Sequence, residues 1–112
     1  MDRPQSLNVP PFFDGNNYVF WKVRMKAFLC SIDDTVWDAV ETGWTRPEAA
    51  KSTWDKVALA ATNANSKALN AIFCVDSLDE FHRISHITVA KEAWEILETT
   101  YEGMKKVKDT KL

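Results

Sequence analysis

The chain has 112 residues, which is enough for one hydrophobic core and too few for two, so we expect a single domain. Fourteen basic against sixteen acidic residues give a formal net charge of −2, which excludes a global electrostatic attraction to nucleic acid or to an anionic membrane. No stretch approaches the roughly 18 uninterrupted apolar residues of a membrane span, and residues 1–11 lack the apolar run of a signal peptide, so we expect a cytoplasmic protein without membrane contact.

The two ends of the chain differ in composition from its middle. Residues 1–11 combine prolines with polar neighbours, which predicts an extended N-terminal arm. Residues 12–103 carry apolar periodicity throughout and should form the single domain. Residues 104–112 are rich in lysine and lack periodicity. We interpret them as a solvated tail or linker, with contact to phosphates as the alternative.

The first helix should begin near Tyr18, because Gly15 and the two asparagines that follow it favour a turn and a helix cap. Large apolar residues then recur at three- and four-residue spacing and predict one buried stripe: Tyr18, Trp21, Met25, Phe28, Leu29 and Ile32. Val19, Phe20 and Val23 lie off this stripe.

Two further helices are predicted between Asp33 and Phe73. The stretch Asp33-Asp34-Thr35 supplies groups suited to a helix start, and Gly43 ends that short helix. Pro47 begins a long alanine-rich helix, with a break around residues 63–65 as the alternative. Its small residues would let another helix approach closely, and its apolar stripe would bury Asn65, a polar group that then needs a hydrogen-bond partner.

The end of the domain should contain a short helical segment and a final helix. Ser77 can cap the short segment, which contains Phe81 and Ile84. Thr88 precedes the final helix, which Gly103 ends. Since no segment shows the alternation of a strand, the prediction is an all-α, compact bundle of about five helices.

The apolar residues divide into an expected core and an expected protein interface. The core prediction, which is strongly aromatic, comprises Phe13, Tyr18, Trp21, Met25, Phe28, Leu29, Trp54, Ile72, Trp94, Leu97 and Tyr101. Further apolar residues exceed what so small a core accommodates, and the interface hypothesis assigns to them Phe12, Val19, Phe20, Val23, Trp37 and Trp44. The alternative is that they contact other parts of the same domain.

No pattern indicates catalysis, a cofactor or a metal. His82 and His86 resemble half of a metal site, but no second half follows at a recognisable spacing. The chain has three glycines, no phosphate-binding loop and no nucleophile motif, so we expect that it is not an enzyme.

Cys30 and Cys74 should be buried, reduced thiols, with a disulfide between them as the alternative.

One ordered set of residues resembles a known family, the Gag polyprotein of Copia-type long-terminal-repeat retrotransposons, particularly plant ones. The opening pattern is Phe13-x-Gly15-x-Asn17-Tyr18-x-x-Trp21-x-x-x-Met25-x-x-x-Leu29. Trp37 and then Trp54-Asp55 followed by alanines continue it. The closing pattern is Ala90-x-Glu92-Ala93-Trp94-x-x-Leu97-x-x-x-Tyr101-x-Gly103. The resemblance covers roughly residues 9–103.

The resemblance implies a capsid-like helical lobe that assembles with copies of itself into a shell around element RNA. Such Gag proteins usually continue into a second helical lobe and a zinc knuckle that binds RNA, so RNA contact is expected only indirectly or through such downstream regions. The chain would then be a fragment or a host gene derived from a Gag. In the second case, the alternative function is a module that binds a peptide or helix of another protein through an aromatic groove.

Overall fold

The computed structural model describes residues 10–13, 15–74 and 78–103, and these form an all-helical bundle, as predicted. The helical segments are α1 (Tyr18–Ile32), α2 (Asp34–Glu41), a 3-10 turn (Lys51–Thr53), α3 (Lys56–Phe73), α4 (Leu78–Ile84), α5 (Ala90–Glu98) and a π-helical turn (Thr99–Gly103). Most of the predicted arm, the cap at Ser77 and the lysine-rich tail lie outside the described residues.

The first helix begins where the turn formers end. Gly15 has φ of +91°, a conformation that glycine adopts without steric cost, and Asn17 precedes the first residue of α1. The Asn17 side chain does not cap α1 but donates from Nδ2 to the Phe12 carbonyl oxygen at 3.0 Å. It therefore fixes the chain that leads into α1.

The second helix has a local cap. Asp33 Oδ1 accepts hydrogen bonds from the Thr35 backbone N–H at 2.8 Å and from Thr35 Oγ1 at 2.6 Å. These bonds lower the pKa of the Asp33 carboxyl. Gly43, with φ of +97°, follows the end of α2. A Cβ atom at Gly43 would lie 3.1 Å from Lys91 Cδ, so a larger residue there would have to displace the Lys91 side chain.

The third helix starts at Lys56, nine residues after the predicted start at Pro47. Its N-cap is Asp55, whose Oδ1 accepts from the Ala58 N–H at 2.8 Å. Trp54 is buried before the helix rather than on its stripe, and its Nε1 donates to the Ala49 carbonyl at 2.9 Å. The segment before Asp55 is thus held as a loop and a 3-10 turn. The alternative break around residues 63–65 is wrong, because α3 is continuous to Phe73.

Asn65 joins α3 to the start of α5. The side chain is 3% exposed, Oδ1 accepts from the Ala90 N–H at 2.8 Å, and Nδ2 donates to the Thr88 carbonyl at 2.8 Å. Both polar ends of this buried amide are therefore satisfied. The prediction that Asn65 needs a partner is confirmed. That partner is the backbone at the start of α5, which has no side-chain cap of its own.

The core is aromatic. Its expected members are buried at Phe13, Tyr18, Trp21, Met25, Leu29, Trp54, Ile72, Trp94 and Leu97, while Phe28 and Tyr101 are half-buried and pack against it. The Trp21 and Trp94 rings stack with centroids 5.7 Å apart, and the Trp37 ring meets Trp94 edge-on at 5.3 Å. Ile32, predicted at the end of the α1 stripe, is 38% exposed.

The expectation of two buried cysteines is wrong. Cys30 and Cys74 are both exposed and free, so they form no disulfide with each other. Cys30 lies on the side of α1 that faces away from the buried stripe, and Cys74 follows the last turn of α3, where its Sγ donates to the Asn70 carbonyl at 3.3 Å. Apolar neighbours in the sequence misled the prediction because they point to the other side of each helix.

Candidate protein-interaction site

The first helix exposes a second apolar side. Val19, Phe20 and Val23 are 61% to 67% exposed. Ala27 and Cys30 are also exposed and continue the same side at helical spacing. We call these five residues the outer face of α1. A contiguous apolar surface of this kind is typical of a protein-interaction site.

The charged residues of α1 itself are all basic. Helix α1 contains Lys22, Arg24 and Lys26 and no acidic residue. The Arg24 guanidinium lies 5.5 Å from the centroid of the Phe20 ring, and Lys26 Nζ lies 5.1 Å from the centroid of the Trp37 ring. The edges of the outer face thus carry positive charge close to aromatic surface.

Lys22 lies on the inner side of α1 and is paired. Its Nζ donates to Glu98 Oε2 at 2.9 Å and to Glu102 Oε2 at 2.6 Å, at the end of α5 and in the π-helical turn. Burial opposes the charged form of Lys22, but the hydrogen bonds to Glu102 and Glu98 outweigh it and raise the pKa of the ammonium group. Its charge is therefore unavailable to the outer face.

Two of the expected interface residues lie elsewhere. Trp37 is half-buried against Trp94, so it belongs to the margin of the core and not to the outer face. Trp44 is half-buried, and its Nε1 donates to Thr62 Oγ1 at 3.2 Å. Phe12 is 61% exposed just before the buried Phe13. Of the six predicted residues, the structure brings Val19, Phe20 and Val23 together on one helix face.

A groove lies between α2 and α3 beside Trp44, with a volume of about 520 Å³. Its apolar lining consists of Ala39, Trp44, Val57, Ala60, Ala61 and Ala64. Thr35, Asp38 and Thr42 line the α2 side. We call this feature the α2–α3 groove. It exists because alanines on α3 leave space beside α2, and the sequence signal was the alanine-rich middle of α3.

One acidic residue, Asp38, lines the α2 side of the groove. Asp34, Asp38 and Glu41 are all exposed on α2, which carries no basic residue. They recur at four- and three-residue spacing, so they form one ridge of the helix, with Asp38 in the groove lining. The outer face of α1 and the α2 wall of the groove therefore carry opposite charges.

The described residues offer no group of three or more histidine, cysteine or acidic side chains that could hold a metal ion. His82 lies in α4 and His86 beyond its end, so they do not share a helical face, and both are exposed.

Comparison of the chain with protein-family models, with curated proteins and with solved structures gives no match. Within the described ranges, no helix combines the length and the apolar character needed to cross a membrane.

Proposed function

We propose that this chain is the N-terminal capsid-like lobe of a Copia-type Gag protein and that it associates with copies of itself in the cytoplasm. The observation that carries the proposal is the outer face of α1, where Val19, Phe20 and Val23 are more than 60% exposed on a helix whose opposite side packs into the core. The resemblance over residues 9–103 supports the same function. The proposal includes no catalytic step, no cofactor and no metal.

The outer face suits assembly by many weak contacts. Complete burial of a side chain such as Val or Phe contributes about 1.5 to 3 kcal/mol, so a few partly buried residues give each contact a modest affinity. Repetition over many copies then supplies the avidity that a shell needs. With a net charge of −2, the lobe would leave RNA capture to other regions of a Gag protein.

The test is sedimentation equilibrium over a wide range of protein concentration. The mean mass should rise with concentration, and Phe20→Ala should reduce that rise while leaving the helical circular dichroism unchanged. Leu59→Ala is the control, because Leu59 is 39% exposed on α3 and lies outside the outer face and the groove lining. A strictly monomeric chain at every concentration would contradict the proposal.

The second candidate function is that of a Gag-derived host module which holds a helix of another protein. The α2–α3 groove favours it, since Trp44 and four alanines give the groove an apolar lining. A titration of the chain with amphipathic helical peptides, followed by tryptophan fluorescence, tests it. Saturable binding by a monomeric chain, lost in a folded Trp44→Ala variant, would favour this function over self-association.

A further inference from the structure

We propose that the outer face of α1 in one copy docks into the α2–α3 groove of a second copy. The inference rests on the proposed self-association and names the two surfaces that meet. Each chain carries both a projecting apolar helix face and an apolar groove, and neither is covered by the described residues.

The two surfaces are complementary in shape. Phe20 and Val23 project from α1. The α3 wall of the groove has only small side chains at Ala60, Ala61 and Ala64, which leaves room for them. A volume of about 520 Å³ lies in the range of pockets that enclose several apolar groups. An aromatic anchor in a groove of small residues is the arrangement that dominates binding energy in many protein interfaces.

The charges select the groove over a second outer face as the partner. Arg24 and Lys26 border the outer face, and α1 has no acid to balance them. Two outer faces packed together would bring these basic groups near their own copies, a repulsion that disfavours such a contact. Asp38 in the groove lining, with Asp34 and Glu41 on the same ridge of α2, instead offers opposite charge to these basic groups.

The contact would be heterologous, because one copy contributes the face and the other the groove. Each chain in such a pair retains one unused groove or one unused face, so further copies can add. Rings form if the rotation between neighbours closes, and open filaments form if it does not. Packing of one outer face on another would instead stop at a dimer.

The experiment uses one variant for each half of the contact. Val23→Glu places a carboxylate at the centre of the outer face, and Ala61→Arg fills the groove and places a positive charge opposite the basic edges of α1. Both positions are exposed within helices, and Glu and Arg are good helix formers, so both variants should fold. Leu59→Glu is the matched control outside both surfaces.

For each variant alone, the association constant of self-association should fall about tenfold or more, which is the loss typical of a central interface residue. Mixed in equal amounts, the two should form mainly a one-to-one complex, because one intact face and one intact groove remain. Sedimentation velocity of the single and mixed samples measures this.

Undiminished association of Ala61→Arg would overturn the inference and leave the proposed function standing, since the outer faces would then meet each other. A mixture that stays monomeric would also overturn it. A wild-type chain that never associates would overturn the proposed function as well. If circular dichroism shows that either variant is unfolded, Val19→Glu and Val57→Lys replace them, because both of these valines are at least 67% exposed.

Discussion

At the scale of single residues, the core depends on a few large aromatic side chains. Trp21 is 1% exposed, its ring lies 5.2 Å from Phe13 and 5.7 Å from Trp94 between centroids, and its Nε1 has no hydrogen-bond partner among the described residues. Its contribution therefore comes from buried area and ring packing, not from a hydrogen bond. Small domains bury a limited area, so each such ring accounts for a large share of the stability.

Trp21→Ala and Trp94→Ala should each lower the free energy of unfolding by about 3 to 5 kcal/mol, since truncation leaves a cavity between α1 and α5. Phe20→Ala is the contrast on the same helix and should change that free energy little, because Phe20 is 61% exposed. Urea denaturation followed by circular dichroism measures all three. Wild-type stability in Trp21→Ala would show that the stacked pair is not the centre of the core.

At the scale of elements, Lys22 ties the inner side of α1 to the end of α5 and the π-helical turn. Tyr18 lies one turn earlier on α1, and its ring stacks on Tyr101 with centroids 5.2 Å apart. Burial is the main cause that raises the pKa of the Tyr18 phenol. The Lys22 ammonium opposes that shift, and the carboxylates of Glu102 and Glu98 add to it.

Stability should fall at alkaline pH. The folded-state pKa values of Tyr18 and Lys22 both lie above their ordinary values of about 10, so both groups contribute fully at lower pH. Their contributions begin to fall as the pH passes these ordinary values and are lost as it rises through the folded-state values. Tyr18→Phe removes the phenol and therefore the Tyr18 share of this loss. Between pH values of about 9 and 11, the melting temperature of the variant should fall less than that of the wild type. Equal losses in both proteins would exclude a contribution from the Tyr18 phenol.

The helix ends show which local sequence signals are enough to predict where a helix begins. The stretch Asp33-Asp34-Thr35 was predicted to start a helix, and Asp33 caps α2 there, because an Asp or Ser cap acts on backbone groups two or three residues away. Pro47 was a comparable signal for α3, but Asp55 supplies the cap and Trp54 is buried in the loop before it. The local sequence cannot show which of these two signals starts α3, since the burial of Trp54 between them depends on the whole bundle.

At the scale of the whole molecule, the outer face of α1 and the α2–α3 groove decide how copies could meet. Their opposite charges belong to two consecutive helices, since α1 carries only basic residues and α2 only acidic ones. A chain that uses both surfaces at once would have contacts with two neighbours. Cys30, at the end of the outer face, provides a native probe of this surface.

Assembly should protect Cys30 from a thiol reagent and leave Cys74 reactive. Both thiols are exposed in the isolated chain, so they should react at similar rates in dilute solution. At concentrations where the mass rises, Cys30 should react several-fold more slowly because the outer face is covered. Mass spectrometry of the labelled peptides separates the two sites. Equal rates at every concentration would contradict burial of the outer face, and equal protection of both thiols would indicate a different contact.

The amino-acid sequence by itself determined that the fold is all-helical and which residues form most of the core. The buried stripe of α1, the positions of Trp94 and Leu97 and the need of Asn65 for a partner all follow from periodicity of 3.6 residues, which is a local property. Periodicity also indicated that Val19, Phe20 and Val23 lie off the stripe, but an off-stripe residue can face either solvent or another helix.

Only the tertiary structure decided what the residues outside the main buried stripe of each helix contact. It places Trp37 against Trp94, leaves Cys30 exposed, and opens the α2–α3 groove beside Trp44. The outer face of α1 remains uncovered because the other helices pack on its inner side. These outcomes depend on contacts between residues far apart in the chain, so no local pattern contains them.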